Sequence, residues 1–170
     1  VNAGIIRHED SFEVVRFYDA VINCAGVTGV PNVDACESDP EGTMQGNAVF
    51  PILLQRECEK HGVDLSHFSS GCIYTGIIDD VNAEPNFFGS IYSISKGISD
   101  SYLKTRAKVF RIRMPFTGVD EPKNYLTKVL NYAQNAKLYD SGPNSLTDHN
   151  EAIRVACDLV IEQAPIGAYN

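Results

Sequence analysis

An apolar run that ends in small residues, at positions 19–25 with Gly26 directly after it, constrains the fold more than any other segment. A short continuous apolar run of this kind is typical of a strand buried on both faces, as in parallel sheets covered by helices. Strands are further predicted within residues 63–74, 109–113 and 166–169, and helices over residues 39–61, 91–104, 124–136 and 151–161. This alternation predicts an α/β fold with a doubly wound parallel sheet and helices on both faces.

The composition narrows the functional classes. The chain has 170 residues, about the length of one domain, and 44% of them are hydrophobic. Its 22 acidic residues outnumber 14 basic ones, and phosphate binding needs a basic face, so we exclude nucleic acid and an anionic membrane as main partners. The apolar runs are shorter than a membrane-spanning helix, which favours the cytoplasm. The five cysteines form no CxxC pair and the four histidines no HxxxH pattern, so no metal site or disulfide framework is predicted.

A tyrosine and a lysine four residues apart give the first chemical signal. Tyr92 and Lys96 fall on one face of a predicted helix, where a nearby ammonium would favour the phenolate and lower the tyrosine pKa. Such a pair can donate and accept a proton near neutral pH. The spacing alone is also common on surface helices. Its context strengthens the interpretation, because Ser70 ends the preceding predicted strand and ligands bind where the strands of a parallel sheet end.

These pieces, in this order, resemble the extended branch of the short-chain dehydrogenase/reductase superfamily. In that branch an N-x-A-(G/A) strand end precedes a Ser/Thr–Tyr–Lys triad. Within it, the chain is similar to the nucleotide-rhamnose synthases over VINCAGVTGVPNVDACES, SSGCIYTG, PNFFGSIYSISK, FRIRMPF and NYLTK. These are 3,5-epimerase/4-reductases of nucleotide-4-keto-6-deoxyhexoses, related to dTDP-4-dehydrorhamnose reductase and GDP-fucose synthase. The resemblance runs from about Arg7 to Asn170 and implies a Rossmann-like fold, NADPH or NADH as cofactor and a nucleotide-sugar substrate that becomes an L-rhamnose-type sugar.

The resemblance also implies roles for individual residues. Ser70 would hydrogen-bond the C4 carbonyl of the sugar, Tyr92 would protonate the C4 oxygen, and Lys96 would lower the Tyr92 pKa and hold the nicotinamide ribose. The residues that would line the rest of the cofactor are Asn23, Cys24, Ala25 and Gly26, with Pro115 beside the nicotinamide ring. Those that would contact the substrate are Thr28 and Asn86.

Two further residues carry the prediction of epimerisation. The protons at C3 and C5 of the sugar flank the C4 ketone, so their removal gives an enolate that the carbonyl stabilises. Inversion of a carbon centre needs two groups on opposite sides of the sugar. One removes a proton from one face of the carbon, and the second donates a proton to the opposite face. Cys72 matches the cysteine that relatives have two residues after the triad hydroxyl. The second group in relatives is a histidine or a lysine on the helix after the R-x-R-M-P strand, and Lys128 matches that lysine. Both would need shifted pKa values.

The chain departs from the family pattern in several places. Val30 stands where plant rhamnose synthases have arginine, Ala35 stands where they have tryptophan, and the loop between Cys72 and Tyr92 is shorter. The chain has no GxxGxxG phosphate loop, which the family keeps in its first βαβ unit. We therefore expect residues 1–170 to form a partial Rossmann-like domain, truncated at both ends and without a second complete domain. We also expect this stretch alone to bind NADP weakly and to turn over poorly, since pyrophosphate lacks its helix N-terminus.

Two alternatives stay open at this point. One is a non-catalytic, cofactor-binding regulatory subunit of the methionine adenosyltransferase kind, which shares the fold but has no need of Cys72 and Lys128. The other is a 4-ketoreductase without epimerase activity, in which solvent deuterium would never enter C3 or C5 of the sugar. The sequence does not choose between UDP, dTDP and GDP substrates or between NADH and NADPH. It also leaves a homodimer open.

Overall fold

The computed structural model describes residues 11–122, 124–132 and 144–170, which form two compact units. The first unit runs to Arg111 and includes Ala164–Asn170, and the second is Ile112–Gln163. In chain order the strands and helices are β1 (Ala20–Asn23), α1 (Pro40–Met44), α2 (Phe50–His61), β2 (Asp64–Ser70), α3 (Ile91–Leu103), β3 (Lys108–Ile112), β4 (Pro115–Phe116), α4 (Tyr125–Tyr132), β5 (Thr147–Asp148), α5 (His149–Ile161) and β6 (Gly167–Tyr169).

A four-stranded sheet in the order β1-β2-β3-β6 forms the centre of the first unit. β1 runs parallel to β2, and β3 runs parallel to β6. In the β1–β2 register Asn23 lies opposite His67, so the carboxyl ends of these two strands meet at the same edge of the sheet. The predicted α/β fold with a parallel sheet is confirmed.

The first strand is shorter than predicted. Its pairing ends at Asn23, whereas the apolar run continues to Ala25. The reason is local, since the Ala25 N–H donates to Oδ1 of Asn23 at 2.9 Å. The asparagine side chain thus takes the hydrogen bond that a longer strand would give to its neighbour, and the backbone turns at the edge of the sheet.

The core of the first unit lies between the sheet and the helices that follow β1 and β2. Eight buried residues form one cluster: Val15, Val21, Leu54, Cys58, Leu65, Leu103, Ala107 and Val109. Phe12 and Phe50 pack against this cluster and meet edge to face, with ring centroids 5.3 Å apart. This burial explains the apolar spacing of α2 and α3, because the free energy gained on folding is roughly proportional to the apolar area removed from water.

A glycine and two side chains define the ends of α2 and α3. α2 ends at Gly62, which has φ 67° and donates its N–H to the carbonyls of Cys58 and Glu59. α3 begins after Ser90, whose hydroxyl accepts the N–H of Ser93 at 3.1 Å. A second orphan N–H of this helix, that of Ile91, donates to the Glu37 carboxylate at 2.7 Å. These caps fix where α3 begins and therefore which of its residues face the sheet edge.

The second unit contains β4 and β5, which pair in parallel, and the helices α4 and α5. Asp148 caps α5, because its carboxylate accepts the N–H of Glu151 at 3.0 Å. The predicted helix over 124–136 is seen at Tyr125–Tyr132, and positions 133–136 lie outside the described residues. Every helix within the described ranges is too short or too polar to span a lipid bilayer.

Candidate active site

Ser70, Tyr92 and Lys96, which are predicted to act together, lie at the carboxyl end of β2 in the first unit. Ser70 is the last residue of β2, and the other two lie on successive turns of α3. All three are buried, with exposed fractions of 5%, 8% and 5%. The Ser70 side chain is close enough to the Tyr92 phenol to lower its pKa, and Nζ of Lys96 donates to the backbone oxygen of Phe68 at 3.4 Å. A hydroxyl, a phenol and an ammonium therefore share one buried edge.

The Tyr92 phenol is held in its neutral form. Burial raises its pKa above the ordinary value, the interaction with the Ser70 side chain opposes this shift, and negative charge on the nearby Cys72 and Cys36 would raise the pKa further. The lowered Tyr92 pKa expected from the Tyr92–Lys96 spacing is therefore wrong. Helical spacing tells which residues share a face, but it does not tell how strongly burial penalises the charged phenolate.

Lys96 is perturbed in the opposite direction. Its burial lowers the pKa of the ammonium to about 8, although the charge of Asp100, one turn further along α3, works against this. A lysine with such a pKa changes charge within the range in which enzymes operate. Groups of this kind cluster at functional sites, because the same burial that shifts the pKa also strengthens electrostatic contacts with a ligand.

The lowered pKa of Lys96 predicts how stability depends on pH. Between pH 8 and 10.5 the unfolded chain keeps a proton on this lysine that the folded chain has lost, so the free energy of unfolding must rise with pH in that window. Comparison with Lys96→Met isolates the effect, on the order of 3 kcal/mol, because other groups titrate equally in both proteins. Urea unfolding at several pH values measures it. If the difference in the free energy of unfolding between wild type and Lys96→Met is constant from pH 8 to 10.5, folding does not lower the Lys96 pKa.

The turn that follows β1 is held by two asparagines. Asn23 accepts the Ala25 N–H, and the Asn47 carboxamide both accepts from the Val27 N–H at 2.8 Å and donates to the Val27 carbonyl at 2.9 Å. Asn47 lies in the π-helical turn Gln45–Val49 that joins α1 to α2. Both side chains are buried, whereas Cys24 and Ala25 are exposed along the turn. The backbone of the turn is thus fixed by buried side chains on its inner side and is open to solvent on its outer side.

A cavity of about 570 Å³ opens beside this turn. It is lined by the turn itself, by residues of α1, of the π-helical turn and of α2, and by the ring of Phe12. A Cβ on Gly26 would lie 3.1 Å from Nζ of Lys96 and 3.2 Å from Oδ1 of Asn47. A side chain here would crowd both atoms, and its absence suits the close approach of an extended, flat cofactor.

Cys72 lies close to the triad. It is half-buried in the 3-10 turn Gly71–Ile73, and its backbone N–H donates to the Ser70 hydroxyl at 3.1 Å. Its carbonyl accepts from the hydroxyl of Ser93 at 2.9 Å, which ties the turn to the first turn of α3. The thiol is near enough that its charge affects the Tyr92 pKa. The first unit therefore brings together four of the five residues predicted to be catalytic.

The remaining predicted residues are placed as follows. Thr28 is exposed just beyond the turn after β1. The Asn86 carboxamide accepts the Thr75 N–H at 2.8 Å and donates to the Thr75 carbonyl at 3.1 Å, so it closes the loop between β2 and α3. Pro115 in β4 and Lys128 in α4 belong to the second unit, where Pro115 is exposed and Lys128 half-buried. Within the described ranges, no cluster of three or more His, Cys, Asp or Glu residues could hold a metal ion.

Residues 2–119 match the family model described as the NAD dependent epimerase/dehydratase family. The chain belongs to this family. The trifunctional UDP-glucose 4,6-dehydratase/UDP-4-keto-6-deoxy-D-glucose 3,5-epimerase/UDP-4-keto-L-rhamnose-reductase RHM1 of Arabidopsis thaliana is 34% identical over 153 residues, which are 82% of this chain and 22% of RHM1. The bifunctional dTDP-4-dehydrorhamnose 3,5-epimerase/dTDP-4-dehydrorhamnose reductase of the same plant is 34% identical over 162 residues, which are 88% of this chain and 52% of that enzyme.

Solved structures agree with this family assignment. The L780 UDP-rhamnose synthase from Acanthamoeba polyphaga mimivirus superposes with a TM-score of 0.78 at 27% identity, over 95% of this chain and 63% of L780. A dTDP-4-dehydrorhamnose reductase from Bacillus anthracis, at 17% identity and a TM-score of 0.70, shows the same fold. The chain thus spans about half or less of the two plant enzymes and 63% of the viral one.

The structure of this epimerase/dehydratase-family chain contains two features that the sequence reasoning missed. One is Asn47, which lies in the interior of a helical segment. Asparagine is unfavourable at such a position unless its side chain has a specific partner, so its presence there was a signal in the sequence. The other is a buried ion pair in which Nε and Nη2 of Arg111 donate to both carboxylate oxygens of Asp100, at 2.9 and 2.6 Å. Ser69 donates to the same carboxylate at 2.8 Å. The signal for Asp100 was its place four residues after Lys96.

Proposed function

We propose that the protein is an NAD(P)H-dependent 3,5-epimerase/4-reductase that converts a nucleotide-4-keto-6-deoxyhexose into a nucleotide-L-rhamnose-type sugar. The observation that carries the proposal is the buried cluster of Ser70, Tyr92 and Lys96 with Cys72 beside it, at a sheet edge next to a cavity. The rhamnose-forming relatives support it, since their names describe the same two reactions. A non-catalytic regulatory subunit has no use for such a cluster. A cytoplasmic location belongs to the same proposal.

The reduction requires a hydride at C4 and a proton on the C4 oxygen. NADPH or NADH supplies the hydride when it is bound, and the turn after β1 and the bare backbone at Gly26 are where we place it. Ser70 orients the carbonyl by a hydrogen bond, and Tyr92 donates the proton. The raised pKa of Tyr92 suits this direction of the reaction, because the acid must be protonated before it can donate. Lys96 would hold the ribose of the bound cofactor.

The epimerisation requires proton transfer at C3 and C5. We assign Cys72 and Lys128 as the two groups that remove and return these protons, on the strength of the resemblance to rhamnose-forming enzymes. Ser70 would stabilise the enolate oxygen that forms at C4 when a proton leaves the adjacent carbon, and Cys72 lies two residues from it with a backbone N–H bound to the same hydroxyl. One polarised oxygen can thus serve both epimerisation and reduction.

The proposed activity is tested by following NADPH oxidation by the full-length protein with UDP- and dTDP-4-keto-6-deoxyglucose side by side. We expect oxidation that depends on one of the two sugars and a product with the L-rhamno configuration. Oxidation with one nucleotide and not the other would also identify the base that the protein recognises. Cofactor binding without oxidation in the presence of either sugar would contradict the proposal and favour a regulatory subunit.

Solvent exchange separates the epimerase from a simple reductase. In deuterated water the wild-type protein is expected to introduce deuterium at C3 and C5 of the sugar. Cys72→Ala and Lys128→Ala should each reduce this exchange by about 10²-fold or more, because a general acid or base contributes that much. Both variants should still reduce a substrate that is already epimerised. Wild-type protein that never exchanges these positions would be a 4-ketoreductase alone.

A further inference from the structure

A histidine that the proposed mechanism does not use lies beneath the turn after β1. His67 is on β2, directly opposite Asn23, and it is fully buried, with 0% of its surface exposed. Its Nδ1 lies 3.0 Å from Nδ2 of Asn23. An aromatic or aliphatic residue would fill such a place on an inner strand more favourably, because a buried polar group loses its hydration. The contact with Asn23 is therefore the feature that calls for an explanation.

The direction of this hydrogen bond is fixed by the backbone. The Ala25 N–H donates to Oδ1 of Asn23, so that atom is the acceptor of the carboxamide and Nδ2 is the donor. Nδ1 of His67 must then accept, which places the ring proton on Nε2. Burial, together with the charge of Lys96, lowers the pKa of His67 to about 3, so the ring stays neutral at physiological pH and the acceptor is always present.

Nε2 of His67 shows what this arrangement costs. Among the described residues it has no hydrogen-bond partner, although it is buried and carries the proton. A buried donor without a partner destabilises the folded state. A residue chosen only for packing would avoid that penalty. The imidazole instead contributes the hydrogen bond that its Nδ1 accepts from Asn23.

We propose that His67 is a positioning residue for the cofactor-binding turn, acting through Asn23. It holds the Asn23 carboxamide in the one orientation in which Oδ1 can bind the Ala25 N–H. Asn47 holds the other end of the turn by its two bonds to Val27. The turn is then ordered before a dinucleotide arrives, and binding does not have to supply the free energy of ordering it. The cofactor role in this inference rests on the proposed function, whereas the ordering of the turn does not.

The first test needs no cofactor. Amide hydrogen exchange of Ala25 in the full-length protein should be about tenfold faster in His67→Leu, which removes the acceptor, because one hydrogen bond of this kind accounts for about that factor. His67→Asn places an amide oxygen near the position of Nδ1 and should restore most of the protection. Val109→Ala, a core substitution away from the turn, is the matched control. Val109→Ala should lower the thermal midpoint of unfolding, but the ratio of the Ala25 amide exchange rate to the exchange rates of core amides should stay as in wild type.

The second test measures the dissociation constant of NADPH by titration. We expect His67→Leu to raise it about tenfold and His67→Asn to stay within about threefold of wild type. In an Asn23→Ala background, His67→Leu should add nothing, since its effect passes through that asparagine. Additive effects, or a His67→Leu variant with unchanged exchange and affinity, would overturn the inference. Wild-type protein that binds neither NADPH nor NADH would overturn the proposed function and the cofactor role of the turn, but it would leave the exchange test valid.

Discussion

Tyr92→Phe should lower kcat for reduction of the 4-keto sugar by about 10²–10⁴-fold and leave KM nearly unchanged. The substitution removes one oxygen and keeps the ring that fills the site, so substrate binding loses little. What it removes is the proton donor, which acts only as the C4 oxygen becomes negative. Steady-state rates of NADPH oxidation by the full-length protein measure both parameters.

A control on the same helix makes the result specific. Tyr102 lies near the end of α3, partly buried, with the Arg106 guanidinium 4.3 Å from its ring centroid. Tyr102→Phe removes the same atom outside the candidate site and should leave kcat within about twofold of wild type. If Tyr92→Phe retained more than a tenth of the wild-type kcat, Tyr92 would not be the proton donor. A large rise in KM with unchanged kcat would make it a binding residue instead.

Asp100→Ala should destabilise the protein by about 3–5 kcal/mol, more than any surface substitution. The side chains of Arg111 and Asp100 are exposed by only 2% and 0%, so removal of the carboxylate leaves a buried guanidinium without its counter-ion. Ser69 also loses its acceptor. Equilibrium unfolding in urea, with the midpoint and slope both recorded, measures the change.

Two further variants show whether the buried charge is the cause. Glu151→Ala breaks an exposed ion pair with Arg154 and should leave the unfolding midpoint unchanged within error. The double variant Asp100→Ala/Arg111→Met removes both charges and should recover part of the lost stability, because the penalty lies in the unpaired charge. An Asp100→Ala protein as stable as wild type would mean that water reaches Arg111.

Features encoded by neighbours in sequence could be predicted, because they depend on local backbone geometry. The helix predicted over residues 91–104 and the shared face of Tyr92 and Lys96 are of this kind. Each follows from spacings of one to four residues. The parallel sheet also followed, since continuous apolar runs between helices have few other solutions.

Features that join distant segments could not be predicted in the same way. The contacts between Asn23 and His67 and between Val27 and Asn47 span 44 and 20 residues, and they depend on the strand register and on the path of the π-helical turn. The Tyr92 pKa was predicted in the wrong direction for a related reason. Its sign is set by burial, which depends on the packing of several elements, whereas the spacing to Lys96 is a property of one helix.

The most direct measurement of the central claim traces a label through the reaction. Full-length protein is incubated with NADPH carrying deuterium at the transferable position and with the nucleotide-4-keto-6-deoxyglucose that supports oxidation, and the product is examined by NMR. The account predicts deuterium at C4 of the sugar, an L-rhamno configuration, and loss of both in Tyr92→Phe. Oxidised cofactor with no deuterium at C4, or a labelled product formed equally well by Tyr92→Phe, would contradict it.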